Sequence, residues 1–158
     1  MVSKLMTAAA SISFLVLSPA AFAQQYGTAD EAKAMLMKAV AAVKADEAKA
    51  LAMFNKGEGG FLDRDLYVFC STISDGKLVA DGNNNAKQLL GTDVRTLKDS
   101  TGKAFGAEIN AAYQKPEGQF TEVNYMFPKP GADKTPVQKV SLVTRASNDL
   151  GCGVGYYK

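Results

Sequence analysis

The first ordered pattern along the chain is an apolar stripe at helical spacing. Leu36, Val40, Val43, Leu51 and Phe54 recur at intervals of three, four and eight residues, which places them on one face of an α-helix. Thr28-Ala29-Asp30-Glu31 opens this segment as a capping box: the Thr28 hydroxyl can accept from the Glu31 amide, and the Glu31 carboxylate can reach back. An alanine-rich run carries the pattern to Asn55 with only Glu47 interrupting the stripe, and Lys56-Gly57-Glu58-Gly59-Gly60 ends it. One long helix is therefore predicted over 28–55. At 1.5 Å per residue, about 27 residues span roughly 40 Å. That exceeds what a small domain needs, so one end is expected to overhang the body.

The period then shifts toward strands. Residues 66–73 are dense in β-branched and aromatic side chains, and Ser74-Asp75-Gly76-Lys77 supplies the Asp-Gly signal of a tight hairpin. A short return strand over 77–80 follows, then a polar loop over 81–86 with three consecutive asparagines. Residues 89–97 read as a short helix and connector. Asp99-Ser100-Thr101-Gly102 marks a turn, and Phe105, Ile109, Ala112 and Tyr113 give a helix over 103–114 one apolar face. Three more strands are predicted over 119–127, 137–146 and 151–157, joined by Pro128-Lys129-Pro130-Gly131 and Ser147-Asn148-Asp149. A long helix, two strands, a helical linker and three strands make an α+β domain, an antiparallel sheet with its helices segregated.

The N-terminus changes the setting of this domain. Lys4, an apolar core containing residues 12–17, Pro19 and Ala21-Phe22-Ala23 read as a secretory signal over 1–23, cleaved after Ala23; a retained anchor is the alternative. The apolar run is too short to span a bilayer in the mature protein. Residues 24–158 then form a single domain of 158 − 23 = 135 residues, with its sheet portion over 61–158. Without Lys4, 17 basic residues face 16 acidic ones, a balance that points away from nucleic acid and from acidic membrane surfaces. The chain has no histidine, so the commonest general base and transition-metal ligand is missing and an enzyme is disfavoured. In an exported protein the two cysteines, Cys70 and Cys152, suggest a disulfide, with two buried thiols as the other reading.

Four segments in order resemble the single Cache domain family, type 2, the PAS-like extracytoplasmic sensor modules. DLYVFCSTISDGKLVADG resembles the family's first hairpin, and LLGTDVRTLKDSTGKAF its Leu-Val-Gly…Leu-x-Asp-x-x-Gly-x-x-Phe linker. GQFTEVNYMFPKP resembles the Gly-x-Trp-Val-x-Tyr-x-Trp-x-x-Pro strand, and GCGVGYYK the closing Gly-x-Gly-x-Tyr strand. The resemblance implies a five-stranded sheet in the order 2-1-5-4-3, strands numbered along the chain. Cys70 and Cys152 would then be cross-strand neighbours and close a disulfide. There are departures: the family's Ala-His-x-x-Asn-Pro appears as Ala80-Asp81-Gly82-Asn83-Asn84-Asn85-Ala86, its tryptophans as Phe120 and Phe127, and its Lys-x-Ser-Tyr as Lys139-Val140-Ser141-Leu142.

These positions define a candidate ligand site of Tyr67, Phe69, Asp81, Tyr125, Phe127 and Lys139. Lys139 on a central strand either faces a pocket and binds a carboxylate, or faces outward. The aromatics either line that pocket or simply fill core. Asp81 either favours a cationic or hydroxylated ligand or is an exposed turn residue. The run from Asp81 only weakly resembles a calcium loop, because its sixth position is Ala86 and its twelfth Thr92, so no metal and no cofactor is expected. Asp63 and Asp65 beside Arg64 read as a solvated strand entrance. The expected function is a periplasmic or secreted module that receives a small polar metabolite such as a carboxylate. With no membrane segment after the signal, it would act through a membrane receptor or transporter, its N-terminal helix a possible homodimer surface. The alternative is a degenerate adaptor with no ligand.

Overall fold

A computed structural model describes residues 25–158; the signal peptide read over 1–23 lies outside the described residues. The Thr28 capping box forms as expected and opens α1 (Ala29–Ala45). The single helix predicted over 28–55 is corrected to two, because α1 stops before Asp46 and α2 runs Glu47–Lys56. Asp46 sits at φ −162° and ψ 98°, and its side chain accepts from the Lys49 amide, so it caps a second helix. The break has a packing consequence. α1 buries Ala32, Met35, Leu36, Ala39 and Val43, and α2 buries Ala50 and Phe54 in the same cluster. The predicted overhang is replaced by two helices that both lie on the sheet. Gly57, at φ 68°, closes α2 in the left-handed conformation that glycine adopts without strain.

The sheet contains β1 (Leu62–Asp63), β2 (Leu66–Thr72), β3 (Leu78–Asp81), β4 (Thr121–Pro128), β5 (Pro136–Arg145) and β6 (Leu150–Tyr157). All pairings are antiparallel, and the path β3-β2-β6-β5-β4 is the predicted 2-1-5-4-3 order. β1 is the addition. It folds back on β2 with Leu62 opposite Tyr67, reversing at Arg64, whose φ is 55°. Asp65 is not the solvated residue expected: it is buried, and its Oδ1 accepts from the Gly27 amide at 2.6 Å.

Alternation along β2 sends side chains to two different cores. Leu66, Val68 and Cys70 join Ala80, Leu142, Cys152 and Val154 beneath the helices. Tyr67, Phe69 and Ile73 face the other way, with Val123, Tyr125 and Val143. The second face is covered by the linker, which forms 3-10 turns at Asn84–Leu89 and Val94–Thr96 and then α3 (Phe105–Ala112). These are shorter than the helices predicted over 89–97 and 103–114. Gly106 lets α3 press on the Val94 backbone, where a Cβ would overlap the carbonyl oxygen.

Cys70 and Cys152 are register partners on β2 and β6, their Cα atoms 4.1 Å apart, and form a disulfide. It lies on the helix-covered face.

Candidate functional site

The site grows from a row of missing side chains. On β6, Gly151, Gly153 and Gly155 all point to the linker-covered face, and each leaves room for a neighbour. A Cβ at 151 would overlap the Tyr113 ring, one at 153 would overlap Phe69, and one at 155 would overlap Lys139 Cε. The centre of the sheet is therefore a bare backbone floor on which side chains from β2, β5 and α3's end can lie flat.

Between this floor and the linker is a cavity of about 50 Å³. Five of the six predicted residues line it: Tyr67, Phe69, Asp81, Tyr125 and Phe127. The remaining wall was not foreseen, and comes from Ser71, Leu78, Leu89, Val94, Leu97, Phe105, Gly106 and Ile109. Phe105 stacks on Tyr125 with ring centroids 4.1 Å apart and planes 4° from parallel, and both rings meet Phe127 edge-on. Helical periodicity had marked Phe105 and Ile109 as an apolar face, which in sequence looks the same whether it fills core or lines a cavity. Ser71 Oγ is buried in the wall and lies near Tyr113 Oη; neither makes a well-formed hydrogen bond.

Lys139 stands behind the lining. It is 1% exposed, so the outward-facing alternative does not hold. Its side chain crosses the space above Gly155, and its Nζ donates to Tyr67 Oη at 2.6 Å. The ammonium lies 4.2 Å from the Tyr67 ring centroid and 5.1 Å from those of Phe127 and Tyr157. These rings stabilise a cation through their negative faces. Burial still pushes its pKa down to about 8, opposed by the negative fields of Asp81 and Asp65. Tyr67 and Tyr125 titrate well above the usual phenol range for the same reason. Tyr125 Oη shares a 2.8 Å hydrogen bond with Ser141 Oγ.

Asp81 ends β3 opposite Phe69 and is 6% exposed, so it is not an exposed turn residue. Its Oδ1 accepts from the Asn83 amide at 2.8 Å, the Asx-turn geometry of the asparagine run. Its backbone is tied down as well: the amide donates to Asn55 Oδ1 at 3.0 Å, and the carbonyl accepts from Lys87 Nζ. Burial raises its pKa to about 6, offset by Asn83, Lys139 and Lys87. Asp81 and Lys139 feel each other's charge, yet no ion pair or hydrogen bond joins them. An anion and a cation are thus both desolvated beside one small cavity. Such an arrangement can bind a small polar molecule.

Comparison with known proteins places this site in context. The family model described as Single Cache domain 2 matches residues 9–155. Among solved structures, a methyl-accepting chemotaxis protein from Vibrio parahaemolyticus is 25% identical, with a TM-score of 0.63 over 81% of this chain and 86% of that one. A Cache chemosensory domain described for carboxylic acid recognition is also 25% identical, with a TM-score of 0.59 and coverage of 81% and 86%. The periplasmic sensor domain of a chemotaxis protein shares the fold at 24% identity and a TM-score of 0.59, covering 81% and 88%. No curated protein matches the chain.

Proposed function

The chain belongs to the single Cache domain 2 family, and from that premise we propose that it is an extracytoplasmic receiver for a small polar metabolite. The ligand binds in the cavity between the β6 floor and the linker, and the 81–91 segment carries the change to a membrane partner. The observation that supports this most is the pair of buried, unjoined charges, Asp81 and Lys139, beside an aromatic cavity. Desolvating two ions without pairing them costs folding energy, and such costs cluster at functional sites. The extracytoplasmic location is supported by the family and by a similar structure whose name places that protein in the periplasm. Among the described residues no helix is long and apolar enough to cross a membrane. In this reading the output passes through contact with another protein. Met37, the most exposed large apolar side chain on α1, marks the helix surface offered for that contact or for a second copy.

A second reading has its own observation. Tyr67 already occupies Lys139, and the cavity is small, as in an adaptor whose pocket is filled by its own side chains. A thermal-shift screen of small carboxylates, amino acids and amines separates the two. A ligand at 100 times its dissociation constant stabilises the fold by about 2.7 kcal/mol. No shift with any member of the panel would favour the adaptor.

A further inference from the structure

Taken singly, Lys139 invites a carboxylate and Asp81 an ammonium. Their arrangement is more specific than either. A lysine ammonium has three donors, and Lys139 spends one on Tyr67 Oη while the Tyr67, Phe127 and Tyr157 rings lie around it and Asp65 and Asp81 act on it through their charge. Asp81 spends one oxygen on the Asn83 amide, and among the described residues nothing donates to its other oxygen. Each group therefore retains capacity for a ligand, and each lies in the other's field without contact. Among the described residues lining the cavity, Asp81 is the one charged side chain. A ligand carrying only a carboxylate would meet that anion; one carrying only an amine would be repelled by Lys139 and Lys87. Both penalties vanish for a molecule of both signs.

We propose that the cavity selects a small zwitterion, an amino acid of very few carbons, whose ammonium pairs with Asp81 while its carboxylate replaces the Tyr67 hydroxyl on Lys139. This rests on the reading of the cavity as a ligand site. The Tyr67–Lys139 contact then keeps the buried cation satisfied until the ligand arrives. The cavity's volume restricts the ligand to a handful of heavy atoms. Charge-assisted hydrogen bonds at buried groups contribute about 1.5–3 kcal/mol, or roughly ten- to a hundredfold in affinity.

The test is calorimetry on the whole mature protein with glycine, 3-aminopropanoate and 4-aminobutanoate. Each is paired with the carboxylate and the amine of matching length. We expect at least one amino acid to bind about tenfold or more tighter than both of its matched partners. Asp81→Asn should erase its advantage over the matched carboxylate, and Lys139→Gln should weaken amino acid and carboxylate alike. If either variant fails to fold, the wild-type series decides alone. If in every pair the carboxylate or the amine binds as tightly as its matched amino acid, the zwitterion is overturned but the ligand site stands. Binding by none of the series overturns the zwitterion, and the wider screen then judges the site itself.

Discussion

Asp81 makes the stability of this protein respond to pH in a direction opposite to that of its surface carboxylates, and Lys139 acts with them at higher pH. Burial raises Asp81 from 3.8 to about 6, so between those values the folded protein holds a proton that the unfolded chain has lost. Stability therefore falls as pH rises across this window, by about 3 kcal/mol at most. Lys139, lowered from 10.5 to about 8, acts in the reverse sense, and stability recovers as pH rises through that interval. Asp75 and Asp99, held near 2 by their hydrogen bonds, contribute stability that is lost only at lower pH, as it falls below their ordinary 3.8. Urea unfolding of the wild type should thus show a decline between about pH 4 and 6, and Asp81→Asn should flatten it. An equal decline in the variant would assign the proton to another group. The charges facing Asp81, namely Lys139 and Lys87, are in both proteins, so the comparison isolates the carboxylate. Sequence could name these residues, since a lysine in a predicted central strand is conspicuous. It could not show that Tyr67 holds the ammonium, because that contact joins residues 72 apart in sequence.

At the scale of elements, the alanine-rich segment shows how a strong propensity can hide a break. Lys44-Ala45-Asp46-Glu47 contains a good cap, but the helical stripe continues on both sides of it, and periodicity alone reads through. Both helices bury residues in the one cluster on the sheet, on either side of the break. The Asp46 cap then satisfies the Lys49 amide. Replacing Asp46 with Ala should lower stability by about 1 kcal/mol, with an unchanged denaturant slope. An unmoved urea midpoint would mean that packing alone holds the break. The strands were legible because their turns carry Gly, Pro and Asp in diagnostic order. β1 was not, for two residues give no period to read. The 3-10 turn at Val94–Thr96 was overpredicted as helix because its ends are fixed by tertiary contacts, the Lys77–Asp93 bridge and the approach of Gly106 to Val94, while the turn at Asn84–Leu89 winds a segment read mostly as polar loop.

For the whole molecule, the Cys70–Cys152 bridge ties β2 to β6 across 82 residues. On the chain-entropy account, closing such a loop stabilises the fold by up to about 4.5 kcal/mol. Cys70→Ser with Cys152→Ser should lower the unfolding free energy toward that amount in guanidinium titrations, and reducing agent should have the same effect on the wild type. A loss of only a few tenths of a kcal/mol would mean that helix packing already restrains the unfolded chain. Because the bridge lies on the helix-covered face, the cavity loses no lining atom when it is cut. The glycines of β6 carry a consequence of a different kind. A floor without side chains offers mutation nothing to adjust, since any substituent there collides with Tyr113, Phe69 or Lys139. Divergence toward new ligands is therefore channelled into the walls and the linker. The middle of the sheet stays a fixed mould, around which chemical taste can drift without the fold being renegotiated.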